Sequence, residues 1–192
     1  MGEDKGHLDT GIYGTRYLFQ VLIDNGYADA ALSILAQTTY PSYGHQISLG
    51  ATTTWEQWGF SGGMETHDHA MFSGPGETLY TRLGGIMPAS PGYRAITIKP
   101  HLPKGLTYVN SSLGTVMGEV VSNWDIRNGY VHHVTIPANS TATVYIPTPD
   151  ARKVTEGGAP AGQAPGVRFV RMEGEYAVFA IGSGKYVFSV SR

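Results

Sequence analysis

The apolar residues of this chain recur with a helical period up to about residue 88 and with a strand period after it, so no single repeating architecture fits the whole sequence. Leu18, Val21, Leu22 and Asn25 fall on one helical face, and Ala28, Ala31, Leu32 and Leu35 on the next. Asn25-Gly26 breaks the run. A glycine there can take the left-handed conformation that closes a helix, which predicts two antiparallel helices with a tight link. A third helix is expected from about Thr66 to Leu83, turning Phe72, Gly76, Leu79, Tyr80 and Leu83 inward and bending locally at Pro75. After "MPASPG", Ile96 and Ile98 alternate with polar neighbours, "TATVYIP" is β-branched, and Tyr186, Phe188 and Val190 alternate near the C-terminus. "DIRNGYVHH" predicts a hairpin with a type I′ turn at Asn128-Gly129, and "EGGAPAGQAPG" a mobile loop or long hairpin tip. The expectation is an α+β chain of two domains, helices over 1–89 and an antiparallel β-sandwich over 90–192.

Composition removes several function classes. With 192 residues the chain can bury a real core, but its net charge of −2 and 13 scattered Lys and Arg form no basic stripe, so nucleic acid is not an expected partner. The absence of cysteine excludes disulfides and thiolate metal sites. No apolar run approaches the ~20 residues of a membrane span, and "MGEDKGHLD" lacks the apolar stretch of a signal peptide. No membrane partner and no cofactor are expected, and the location is cytoplasmic if Met1 is the native start.

The functional side chains concentrate in "GATTTWEQWGFSGGMETHDHAMF", residues 50–72, which holds two Trp, two Glu, one Asp and two His. Gly44 to Glu65 is long for a plain connection in a compact helical domain, and loops of that length are usually functional. Its aromatic content fits a carbohydrate site, where apolar sugar faces stack on rings and carboxylates or imidazoles take the hydroxyls. Glu56, between Trp55 and Trp58, would be partly desolvated and suited to acid or base work. The alternative is aromatic packing around a solvated acid. His67 and His69, two apart on a helix, would point roughly 200° away from each other and could not share an ion, so no metal site is expected and one of them faces a pocket. His132 and His133 are neighbours on a strand, point to opposite faces, and are read as structural or solvent-exposed. Glu65 and Asp68 are placed in the first turn of the third helix, where the dipole favours negative charge.

The order "HLDTGIYGT", "YPSYGHQISLGATTTWEQW", "METHDHAMF" and "LGGI" before a β-rich tail resembles the C-terminal part of bacterial α-L-rhamnosidases of glycoside hydrolase family 78. The family pattern reads approximately T-G-F-x-G-T, Y-P-S-W-G-Y, G-A-T-T-x-W-E-R-W and S-F-N-H. The resemblance is dense over residues 7–86 and looser beyond. It implies the terminal helices of an (α/α)6 barrel followed by a β-sandwich, and inverting hydrolysis of terminal α-L-rhamnosides. It also implies that Glu56 is the general base and that His69 contacts the sugar. Trp55, Trp58 and Tyr43 are expected as further substrate-binding residues. The implied partner is a rhamnose-containing glycoside or oligosaccharide. Inversion needs a second carboxyl group ~6.5 to 9.5 Å from the base, and in the family this acid lies upstream, so an upstream barrel segment or another subunit is expected to complete the site. The sequence departs from the pattern at Tyr43, Gln57 and His67-Asp68, has a shorter loop between Glu56 and His69, and has Asp9 where Thr is common. Two other outcomes stay open: a non-catalytic carbohydrate-binding or interaction module, and a related barrel glycosidase acting on a different sugar.

Overall fold

The computed structural model of the chain describes residues 6–8, 10–60 and 66–191; Met1, Asp9 and Glu65 lie outside them. The chain divides into two compact units, Met1–Leu79 with Pro103–Gly105, and Tyr80–Leu102 with Leu106–Arg192. Helices come first and a largely antiparallel sandwich second, as the sequence leads one to expect. No helix among the described residues is long and apolar enough to cross a membrane.

In the first unit, α1 (Ile12–Asp24) and α2 (Ala28–Leu35) are separated by the expected break. Gly26 has φ 85°, its N–H donates to Ile23 O at 3.0 Å, and Tyr27 N–H donates to Leu22 O at 2.8 Å. Those two bonds form a Schellman closure, which needs the left-handed residue that glycine supplies. The buried face of α1 differs from the expected one. Thr15, Phe19 and Ile23, one turn apart, are covered, whereas Val21 is 56% exposed. A helix this rich in apolar residues offers two neighbouring stripes, and its neighbours select one: Gly74 approaches so closely that a Cβ there would lie 2.6 Å from Arg16 O.

A short helix α3 (Tyr43–Ser48) interrupts the stretch expected to be loop, capped by Ser42, whose Oγ accepts the His45 N–H at 2.9 Å. The third expected helix starts later than Thr66. A 3₁₀ turn covers Ala70–Ser73, α4 covers Gly74–Thr78, and a π turn covers Leu79–Leu83. Its covered residues are Phe72, Gly74, Thr78 and Leu83, while Leu79 and Tyr80 are exposed. Residues 66 and 69 cannot be helical, because their backbone groups are paired with residues 54 and 56. Asp68 therefore lies ahead of the helix and outside its first turn, in contrast to the expectation.

The second unit packs two sheets face to face. One has the order β1 (Ile86–Pro88), β2 (Ala95–Ile98), β6 (Thr141–Pro147), β10 (Tyr176–Ile181) and β9 (Val167–Glu173), with β2 and β6 parallel. The other has β3 (Tyr108–Thr115), β4 (Gly118–Asp125), β5 (Tyr130–Ile136), β11 (Gly184–Val190), β7 (Val154–Glu156) and β8 (Ala159–Pro160). Alternation places Ile96, Ile98, Val144, Ile146, Trp124 and Phe188 in one core between them. Strand β1 begins ahead of residue 90, with Ile86 buried opposite Ile98.

Two turns depart from expectation. Only Gly129 of the Asn128-Gly129 pair has positive φ, at 104°, so a type I′ turn is excluded. The loop is longer because Asp125 Oδ1 accepts the Arg127 N–H at 2.8 Å. The type I′ geometry occurs instead at Gly157-Gly158, with φ 57° and 86°, between β7 and β8. "EGGAPAGQAPG" is thus a tight hairpin followed by a 3₁₀ turn that buries Ala161 and Ala164 in the core.

The "LGGI" stretch enters the sandwich through four successive carbonyls, each with a donor. Arg82 O accepts from His101 N at 2.8 Å, Leu83 O from Trp124 Nε1 at 2.8 Å, Gly84 O from Ser122 Oγ at 2.6 Å, and Gly85 O from Lys99 N at 2.9 Å. Because Ser122 spends its proton on Gly84 O, it accepts from His132 Nε2–H at 2.8 Å. His132 Nδ1 then accepts the Tyr130 hydroxyl at 2.9 Å. His132 is fully buried and His133 exposed, as their neighbouring strand positions predict.

Burial, reinforced by the nearby His133, pushes the His132 imidazole down from its ordinary 6.5 to about 3. Between those values the unfolded chain binds the proton and the folded one does not. Stability therefore falls as pH drops through that window, by at most about 1.4 kcal/mol per pH unit. Urea unfolding at pH 7 and pH 4 should show a smaller acid loss for His132→Gln than for the parent. Equal losses would show that His132 has no part in the acid response.

Candidate functional site

The segment 53–56 runs alongside 66–69, and hydrogen bonds set their register. Glu56 N–H donates to Thr66 O at 2.9 Å and His69 N–H to Thr54 O at 2.7 Å. The Thr54 hydroxyl donates to His69 O at 2.8 Å, and the Thr53 hydroxyl to His67 O. Thr53 and Thr54 thus tie their segment to residues 67 and 69 through both hydroxyls.

This pairing brings Glu56 and His69 together. Thr66 N–H donates to Glu56 Oε2 at 3.0 Å, which orients the carboxylate. Oε1 lies 4.0 Å from His69 Nε2, with the Glu56 side chain 34% exposed and that of His69 23%. The separation is too long for a direct hydrogen bond. A single oxygen placed between the two groups can be held by both at ~2.8 Å. Nδ1 of His69 is buried and has no hydrogen-bond partner among the described residues, so Nε2 is the ring's working nitrogen.

Glu56 borders a cleft of about 620 Å³ that also takes in Thr10, Gly11, Pro41, Trp58 and Phe72. Trp58 is held on three sides: its Nε1–H donates to Thr10 O at 3.0 Å, the Phe72 ring is centred 4.6 Å from its own, and the Tyr43 ring, nearly perpendicular, is centred 5.1 Å away. The Tyr43 hydroxyl donates to Phe72 O at 2.7 Å, and burial pushes its pKa well above the ordinary tyrosine value, so it stays a donor. Tyr43 is thus spent on supporting Trp58. Trp55 points the other way. It is 3% exposed, stacked on His67 at 4.5 Å and 21° and packed on Phe60 at 5.4 Å.

Of the residues singled out from the sequence, Glu56, His69 and Trp58 share one neighbourhood, Tyr43 lies behind Trp58, and Trp55 lies in the packing beneath the paired segments. His67 and His69 have different neighbours, though a bend at His67 and not a helix separates them. Sequence reasoning missed Thr54 and Thr66, which align the acid and the imidazole. It also missed Gln46, 2% exposed, whose Nε2 donates to Gln57 O at 2.7 Å and ties α3 to the site.

A second hollow of about 590 Å³ lies on the five-stranded sheet, lined by small residues such as Ala95, Thr141, Thr143 and Ala180 with Arg168. Among the described residues its lining holds no carboxylate or imidazole.

Residues 1–83 match the bacterial alpha-L-rhamnosidase 6 hairpin glycosidase domain, and residues 85–159 the bacterial alpha-L-rhamnosidase C-terminal domain. The chain is 36% identical over 195 residues to an α-L-rhamnosidase of Streptomyces avermitilis, a match covering 96% of this chain and 18% of that protein. With an α-L-rhamnosidase of Formosa agariphila the identity is 38% over 164 residues, covering 80% of this chain and 18% of that protein. The crystal structure of the Streptomyces avermitilis enzyme complexed with L-rhamnose superposes with a TM-score of 0.87 at 34% identity, over 98% of this chain and 18% of that one. The chain thus spans about a fifth of the length of these relatives.

Proposed function

We propose, for a chain that belongs to the bacterial α-L-rhamnosidase family, that it carries the base side of a glycosidase site. Glu56 takes the proton from a water that attacks a terminal α-L-rhamnoside with inversion. One observation carries this reading: the carboxylate has one oxygen held by Thr66 N–H and the other turned toward His69 at 4.0 Å, beside the cleft that Trp58 borders. A carboxylate held through one oxygen presents the other as the proton acceptor. His69 Nε2 meets the water or a sugar hydroxyl, and Trp58 offers its ring to an apolar sugar face. Tyr43 and Trp55 act from behind, on Trp58 and on the paired segments.

The general acid comes from polypeptide outside this chain, at the separation that inversion requires. Two observations support this: the chain covers about a fifth of its relatives, and Tyr13, Tyr17, Val21 and Ile47 of the helical unit are exposed. Such side chains mark a surface meant to be covered. Gln57 on the cleft and His67 against Trp55 depart from the family pattern, so the sugar itself must be tested.

A polypeptide that joins this chain to the upstream acid should hydrolyse 4-nitrophenyl α-L-rhamnoside and leave other aryl glycosides intact. Turnover confined to a different sugar would overturn the substrate, and glycan binding without turnover would favour a non-catalytic module. In that polypeptide His69→Ala should raise KM more than it lowers kcat, by about 1 to 3 kcal/mol of binding, because a sugar hydroxyl loses its partner. An unchanged KM would remove His69 from the sugar.

A further inference from the structure

We infer that Thr54 is a positioning residue for the pair Glu56–His69, and that its hydroxyl sets how His69 faces the carboxylate; this rests on the base reading of Glu56. Residue 69 is gripped at both of its backbone groups by this one threonine. Its N–H donates to Thr54 O at 2.7 Å, and its carbonyl accepts the Thr54 hydroxyl at 2.8 Å. The Thr54 proton is spent on that carbonyl, so at 3.1 Å the Ser73 hydroxyl is the donor to Thr54 Oγ1. The chain Ser73 to Thr54 to His69 spans the 3₁₀ turn Ala70–Ser73, at whose N-cap His69 stands.

The hydroxyl matters for the ring because of what the ring lacks. Nδ1 is buried with no hydrogen-bond partner among the described residues, and Nε2 is 4.0 Å from Glu56 Oε1, so no direct hydrogen bond holds the imidazole in place. Its orientation is inherited from the backbone of residue 69. With both peptide groups of that residue fixed, the side chain has few ways to turn. Two residues along, Glu56 is held by the backbone of Thr66, its N–H on Thr66 O and its Oε2 on Thr66 N–H. The acid and the imidazole are thus set from the two ends of one short pairing. Thr54 supplies the end at which a side chain, and not only the backbone, does the holding.

The test reads the pair without using catalysis. In the 192-residue chain the ring resonances of His69 are followed by NMR, and their response to Glu56→Gln is measured in the parent, in Thr54→Ser and in Thr54→Val. The response should be present in the parent, retained in Thr54→Ser, and reduced about threefold or more in Thr54→Val, the effect of losing one neutral hydrogen bond. Sandwich resonances unchanged in all forms show that the fold survives. An equal response in Thr54→Val, or none in the parent, would overturn the assignment. Because no turnover is measured, failure of Glu56 as base is a separate result, seen only in rates.

Discussion

Glu56→Gln is expected to lower turnover by ~10² or more in a polypeptide that also carries the acid, while sugar binding survives. The amide keeps the size of the carboxylate, and its carbonyl oxygen can still accept the Thr66 N–H now bound at 3.0 Å by Oε2. What it presents toward His69 is then an NH₂ group. That group has no proton-accepting oxygen for the water, so only the step that needs a base is lost. Rates against an aryl α-L-rhamnoside, read beside L-rhamnose binding, separate the two effects. A fall in binding equal to the fall in rate would assign Glu56 to holding the substrate.

The second large effect is on folding. Gly85→Ala should destabilise the sandwich by more than about 3 kcal/mol, a large part of a typical domain's stability. The residue has φ 75°, and a Cβ would stand 2.3 Å from Pro100 N and 2.5 Å from the Lys99 carbonyl carbon. Both are backbone atoms, so no rotamer relieves the overlap, and the strain of left-handed backbone adds to it. Moving the strand would also disturb the Lys99 N–H bond to Gly85 O at 2.9 Å. Gly114→Ala is the control, since nothing lies within 4 Å of its would-be Cβ and its φ is not left-handed. Urea unfolding followed by Trp fluorescence should separate the two. Equal midpoints would mean that the "LGGI" approach is looser than its geometry.

The legible parts of this molecule are those whose signal is local. Asn25-Gly26 names the helix break because only a left-handed residue closes α1 in that way. Ile96, Ile98, Tyr186 and Phe188 name strands because alternate side chains must enter one core. The inward face of α1 was not legible, since Phe19 and Ile23 were selected over Val21 by neighbours that periodicity does not see. Strand β1 is three residues long, too short to show a period. At the site, Glu56 between two tryptophans was visible as a candidate acid. His69 stood out only through the family pattern. The backbone bonds of Thr54 and Thr66 leave no mark in side-chain chemistry, and they move the start of the third helix from residue 66 to residue 70.

The central claim is that Glu56 is the base of an inverting rhamnosidase site, and azide tests it most directly. Azide needs no base, so with Glu56→Gln it can enter the space left for activated water and displace the leaving group from the same face. In the polypeptide carrying the acid, azide should restore the hydrolysis-deficient Glu56→Gln form on 4-nitrophenyl α-L-rhamnoside and yield the β-L-rhamnosyl azide. A Glu56→Gln form that turns over at the parent rate without azide would contradict the account.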